Sequence, residues 1–230
     1  MPYWSVQQLV AGLEERLAAV RERIARAAER ARRDPAGITL LAVTKMFPAG
    51  AIREAYALGL REFGENYVRE LEAKAPEVAD LKGARFHLIG HLQSNKSGKA
   101  AELFQVVQTV DSARLARRLD QAGGRLDVML EVKLSGEEAK SGADPADVPA
   151  LIDAVRLCPN LRLLGLMTVP PWSEDPEASR PYFRRLRELG ERHGTEQLSM
   201  GMSHDLEAAI EEGATCVRVG TALFGARKQG

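Results

Sequence analysis

The sequence predicts an α/β fold: a single (β/α)8 barrel with an extra N-terminal helix. Three observations point to it. Eight short segments rich in apolar and β-branched residues alternate with amphipathic stretches along the chain, the pattern of a parallel sheet with helical crossovers. The length of 230 residues is ordinary for one such barrel. No linker, repeat or low-complexity segment divides the chain, so it reads as one domain over 1–230, with the helix in 1–36 and the barrel in 37–230.

Taken in order, the chain starts with a helix. From Ser5, an N-cap residue type, apolar residues recur at Val6, Leu9, Val10, Leu13, Leu17, Val20, Ile24 and Ala28, one buried stripe at helical spacing. Asp34-Pro35 and Gly37 end it, and its place ahead of the first strand makes it a lid over one end of the barrel. The run I-T-L-L-A-V-T-K at 38–45 is a strand buried on both faces. A helix opening at Pro48 closes near Gly59. A short strand at 62–64 leads into Glu65-Asn66-Tyr67, and a helix covers 68–79. A strand at 85–90 and a loop at 91–96 precede a short helix that includes 100–103. The strand at 105–110 is closed by Asp111-Ser112, where Ser112 caps a helix to Ala122. Then come a strand at 126–132, a polar loop at 135–142, a helix at 145–157 and a strand at 161–167. Pro170-Pro171 and an acidic loop lead to a helix at 177–193, a strand at 197–201, a helix at 205–212 and the last strand at 216–219.

Composition narrows the function classes. Hydrophobic residues make up 45% of the chain, enough for a sizeable core, and 32 Lys and Arg balance 32 Asp and Glu. Such a balance gives no global field toward nucleic acid or an acidic membrane. Cys158 and Cys216 are too few for a disulfide framework and lack metal-ligand spacing. The N-terminus lacks the layout of a signal peptide, and no apolar run approaches the roughly 18 residues of a membrane helix. The expectation is a soluble, cytoplasmic protein with no metal.

In such a barrel, function gathers at the carboxyl ends of the strands. Those ends carry Lys45; Glu65 and Asn66; Gly90, His91 and Gln93; Asp111; Glu131 and Lys133; Met167; Ser199, Gly201 and Ser203; and Arg218, Gly220 and Thr221. Lys45 reads in two ways. Partial desolvation favours its neutral amine and makes it a nucleophile able to form a Schiff base, or it simply snorkels its charge to the sheet rim. The loops after strands seven and eight, S-M-G-M-S (199–203) and R-V-G-T-A-L-F-G (218–225), sit where barrels hold phosphate. They offer glycine, hydroxyl donors and a fixed positive charge. Ser203 also reads as the N-cap of the following helix. Asp205 and Glu207 would oppose an anion at that helix end, which puts a phosphate nearer Gly220-Thr221. A reactive lysine with a phosphate cup is what pyridoxal 5'-phosphate requires.

The motifs L-L-A-V-T-K (40–45), F-G-E-N-Y (63–67), H-L-I-G-H-L-Q-S-N-K (87–96), K-S-G (140–142), G-L-M (165–167), S-M-G-M-S-x-D (199–205), E-A-A-I (207–210) and R-V-G-T-A-L-F-G (218–225) span almost the whole chain. In them the sequence resembles the pyridoxal-phosphate homeostasis protein family, single-domain relatives of the alanine racemase N-terminal barrel. The resemblance implies pyridoxal 5'-phosphate as cofactor, held as a Schiff base on Lys45, with Asn66 flanking it. It further implies that Ser203, Gly220 and Thr221 hold the phosphate, and that Met167 and Arg218 line the site, Arg218 at either the phosphate or the pyridine nitrogen. His204 departs from the aspartate of many relatives and reads as a solvated first-turn residue. Tyr67 reads as a core-edge residue, or as a proton donor. The stretch 91–99, with Lys96 and Lys99, reads as a solvated loop or as an anion or partner contact.

The resemblance implies a carrier or regulator rather than an enzyme. Alanine racemases take an acid–base tyrosine from a second domain, and the chain reads as ending with its barrel at Gly230. The expected partners are the cofactor and, transiently, apoenzymes that need it, with the chain a monomer or weak dimer. Two alternatives belong to other classes. One is a small racemase or lyase using His91, Tyr67 or a second lysine as base. The other is an aldolase-type barrel enzyme acting on a sugar phosphate through Lys45.

Overall fold

The computed structural model describes residues 6–136 and 141–225, with side chains from residue 12 onward. The expected N-cap Ser5 and Lys140 of the K-S-G motif lie outside the described residues. Eight parallel strands close into a barrel in chain order: β1 (Thr39–Val43), β2 (Glu62–Glu65), β3 (Arg85–Leu88), β4 (Val106–Val110), β5 (Leu126–Glu131), β6 (Leu161–Met167), β7 (Gln197–Met202) and β8 (Cys216–Val219). Pairing of β1 with β8 through Thr39 opposite Cys216 completes the ring. The helices are α1 (Val6–Arg30), α2 (Ala49–Ala57), α3 (Val68–Val78), α4 (Ser97–Leu103), α5 (Ala113–Gln121), α6 (Val148–Arg156), α7 (Arg180–His193), α8 (Leu206–Glu211) and the short α9 (Thr221–Phe224). This is the (β/α)8 architecture the alternation predicts, and the strands at 161–167 and 216–219 have the expected bounds. Ser112 caps α5 as its residue type predicts, its Oγ accepting the Leu115 N–H at 3.3 Å.

Most strand side chains are buried because helices cover the outer face while the barrel fills its own interior. Phe63, Leu41, Leu88, Val107, Leu130 and Leu166 are almost wholly buried. The interior also holds a polar chain. His87 Nε2 meets Glu62 at 2.5 Å, its Nδ1 meets the Gln108 amide at 2.9 Å, and Ser199 Oγ donates to Gln108 Oε1 at 2.7 Å. Arg218 Nη1 then donates to Ser199 Oγ at 2.8 Å. Each link satisfies a polar group that burial would otherwise leave costly.

The structure corrects the expectation of a lid. α1 runs down the outer flank of the barrel beside α8. Its buried stripe of Leu13, Leu17, Val20, Ile24 and Ala27 faces inward. Arg23 pairs with Glu207 at the head of α8, and Arg30 pairs with Glu211 at its foot. The apolar stripe demands a long contact, and a barrel wall supplies more of it than a barrel end. Among the described residues, no helix is long and apolar enough to cross a membrane.

Candidate functional site

The main cavity, about 800 Å³, opens at the carboxyl ends of the strands. It brings together six of the seven residues expected at the site: Lys45, Asn66, Ser203, Arg218, Gly220 and Thr221. Met167 is the exception and corrects the expectation. As the last residue of β6 it is fully buried, opposite Glu131 and Ser199 in register, and does not line the cavity. Val43, Ile89, Val169, Trp172 and Met202 give the cavity an apolar wall.

Lys45 lies just past β1, on a tight turn. Thr44 continues the ladder by donating its N–H to Gly64 O at 2.9 Å, and Thr44 O then accepts the Phe47 N–H at 3.1 Å. Met46, at the third position of this turn, has φ +64°, a left-handed conformation that usually calls for glycine. The half-buried Lys45 thus leaves the strand end directly into the cavity. Asn66, just beyond β2, is set by a close approach: a Cβ on Gly90 would lie 2.2 Å from Asn66 O. Only glycine lets the segment after β3 press against that backbone.

On the far side, two loops form a cup. Ser203 Oγ accepts the N–H groups of Gly220 and Ala222, both at 3.2 Å. This removes the reading of Ser203 as the N-cap of α8; Asp205 stands at that position instead. The two acids expected to oppose an anion are occupied. Asp205 Oδ1 accepts the Met202 N–H at 2.7 Å, and Glu207 is paired with Arg23. α1 braces both loops from behind, with Arg23 Nη2 donating to Ser203 O at 3.0 Å and Arg16 Nε to Leu223 O at 2.5 Å. Close packing at Gly201 (φ +89°), where a Cβ would lie 2.4 Å from that of Ala209, seats the end of β7 on α8.

Arg218 is buried, and its hydrogen-bond partners are neutral: Ser199 O and Oγ, and Thr168 O, each at 2.8 Å. Among the described residues no carboxylate pairs with it directly. Burial pulls its pKa below the usual value, opposed by the fields of Cys216, Asp205 and Glu131. A buried guanidinium without a paired anion is costly, and Arg218 lies on the cavity wall.

The opposite half of the mouth differs. Glu131, at the end of β5, has its pKa pushed up to about 7, by burial first and then by Asp111, with Arg218 acting the other way. Its Oε2 is buried without a partner. His91 is exposed, 3.9 Å from Asp111 and 3.2 Å from Ser141 Oγ. The segment 91–99 is only partly solvated, since Leu92 and Ser97 are buried, and Lys99 pairs with Glu72 and Glu102. Tyr67 is no core-edge residue: it is 63% exposed, and it does not line the cavity. His204 is exposed as expected, yet it lines the cavity, its Nε2 2.9 Å from Glu174 O. Trp172 and Val169 were not anticipated, because a Pro-Pro and acidic loop carries no periodic signal. Among the described residues, no group of His, Cys, Asp and Glu is arranged to hold a metal.

Fold and site together define a barrel of the alanine racemase type: the family model for the alanine racemase N-terminal domain matches residues 16–228. Within that class, the chain belongs to the pyridoxal phosphate homeostasis protein family. It is 53% identical over 224 residues to the Pyridoxal phosphate homeostasis protein of Pseudomonas aeruginosa, covering 95% of this chain and 97% of that protein. The protein of the same name from Escherichia coli K12 is 46% identical, over 92% of this chain and 95% of its own. The structure of PipY from Synechococcus elongatus PCC7942, solved with PLP bound, superposes with a TM-score of 0.81 at 40% identity, over 93% of this chain and all of that one.

Proposed function

We propose that the protein holds pyridoxal 5'-phosphate as a Schiff base on Lys45 and supplies or buffers it for apoenzymes. The observation that carries this reading is the convergence, in one cavity, of an amine at the end of β1 with a cup of backbone N–H groups across from it. The residues present fit the group. Gly220 N and Ala222 N already meet on one oxygen, Ser203 Oγ, as donors to a phosphate oxygen would. Arg218 adds a buried positive charge that, among the described residues, no carboxylate pairs directly, and Val43, Ile89, Met202 and Trp172 suit the faces of a flat ring. When bound, the cofactor supplies an aldehyde and an electron-withdrawing ring. In this reading Lys45 retains it, Asn66 flanks it, Ser203, Gly220 and Thr221 hold its phosphate, and Arg218 fixes its charge.

Support for holding rather than turnover comes from the ionisable side chains on the cavity wall. Among the described residues these are Lys45, Arg218 and His204, and His204 is tied to a carbonyl at the rim. The names of the relatives point the same way.

The test is the absorption spectrum of purified protein incubated with the cofactor, before and after borohydride, followed by peptide mass mapping. A visible band bleached by borohydride, with a pyridoxyl adduct on Lys45 that is lost in Lys45→Ala, is the expected result. A protein that stays colourless sinks the reading. α-Proton exchange of amino acids in heavy water, lost in Lys45→Ala, would establish an enzyme in place of a carrier.

A further inference from the structure

The turn that carries Lys45 is held by a buried cluster outside the cavity. Lys74 on α3 is 7% exposed, unusual for a lysine. Its Nζ donates to Thr44 O at 3.0 Å, Glu65 Oε1 at 2.7 Å and Glu70 Oε1 at 2.9 Å. Those three bonds use all the donors an ammonium has. Glu65, wholly buried, accepts the Thr44 hydroxyl at 2.7 Å on the same oxygen. Glu70 in turn accepts the Met46 N–H. Three polar handles of the turn on either side of Lys45 are therefore gripped by the cluster: the Thr44 carbonyl, the Thr44 hydroxyl and the Met46 amide.

A gripped turn matters because it is strained. Met46 sits at φ +64° where a side-chain-bearing residue is disfavoured, and such conformations persist only where surrounding bonds over-determine them. Released, Met46 would relax toward the β or right-handed region, and Lys45 would swing away from its aim at the cup. A simple structural role for the cluster would call for ordinary buried apolar packing, which costs less than burying an ion pair.

We infer that Lys74, through Glu70 and Glu65, is a positioning residue that locks the Thr44–Phe47 turn and so sets how readily the Lys45 amine engages an aldehyde held in the cavity. The inference rests on the cofactor reading for its consequence, but not for the turn itself. The test therefore has two readouts. Hydrogen exchange at the Met46 amide, followed without cofactor, reports whether the turn is held. The rate at which added pyridoxal 5'-phosphate becomes trapped on Lys45 by borohydride reports the aim of the amine.

Lys74→Met is expected to speed Met46 exchange and to slow trapping by about tenfold, the population cost of an unsupported left-handed residue. Adding Met46→Gly in the same chain relieves that strain and is expected to restore most of the trapping rate. A Lys74 that merely supported the fold would not be rescued in this way. Should Lys74→Met fail to fold, Glu70→Ala at the outer end of the cluster, with its side chain 18% exposed, serves for both readouts. Unchanged Met46 exchange and trapping in a folded variant overturn the inference, as does slow trapping that Met46→Gly leaves slow. If wild-type protein traps no cofactor, the holding function fails, and Met46 exchange alone decides the role of Lys74.

Discussion

Replacing Glu131 with glutamine is expected to stabilise the protein at alkaline pH and leave it nearly unchanged in acid. In the folded chain the Glu131 carboxyl is raised from 4.5 to about 7, by burial and by Asp111 against the pull of Arg218. The folded state therefore holds this proton more tightly than the unfolded chain does. By linkage, stability falls as pH rises between those two values and is flat above about 7. At roughly 1.4 kcal/mol for each tenfold change in proton affinity, the full loss is about 3 kcal/mol. Glutamine cannot ionise, and little is given up in replacing Oε2, which has no partner to lose. Urea unfolding of wild type and Glu131→Gln, without cofactor, across pH 4 to pH 8 measures it. The two are expected to have nearly equal stability at the acid end, with the variant ahead by about 3 kcal/mol at the alkaline end. A difference that does not change with pH would refute the reasoning, since a constant offset reflects packing and not ionisation.

Two further outcomes test how the site is built. Gly90→Ala puts a methyl group 2.2 Å from Asn66 O, against backbone that cannot rotate away. It should cost about 1–3 kcal/mol in unfolding free energy and weaken cofactor retention measured by dialysis; wild-type values for both would refute the close approach. Arg23→Ala removes a half-exposed ion pair, so its stability cost should stay below about 1 kcal/mol. Retention should fall nonetheless by about threefold, because the Ser203 carbonyl loses its brace. Equal retention would show that the cup stands without α1.

The barrel was legible because its signals are local. Apolar runs such as 38–43 and 161–167, and breakers such as Asp34-Pro35, mark elements without reference to the rest of the chain. The strand-end rule then puts Lys45, Asn66, Ser203, Arg218, Gly220 and Thr221 at one mouth from the sequence alone. Lys74 was not legible. In V-R-E-L-E-A-K it looks like one more cation on the wet side of an amphipathic helix. Its burial depends on β1 and α3 meeting across 30 positions of sequence, which no local pattern encodes. The interior chain through Gln108 was hidden for a similar reason, since a glutamine in a strand gives no sign of which barrel face it occupies. Met167 differs in the opposite direction: its motif puts it at the strand end, where the structure has it, but there it is fully buried and off the cavity wall.

The two halves of the mouth are coupled through charge. Arg218 is held by neutral oxygens, while the carboxyl whose field reaches it from β5 is largely protonated below about pH 7. Under those conditions the field of Asp205 still opposes the Arg218 charge, but that of Glu131 is largely lost, which leaves the buried guanidinium less compensated and favours an anionic ligand over an empty cavity. Ionisation of Glu131 supplies a competing negative charge inside the same low-dielectric space. The polarity of the cavity is thus conditional on a proton held outside the cup. The strain at Met46 makes the aim of Lys45 conditional on bonds made outside the cavity. On the proposed reading, a site assembled in this way would bind through residues on its wall, with its tightness set by groups behind that wall, Lys74 and Glu131, that never need to touch the ligand.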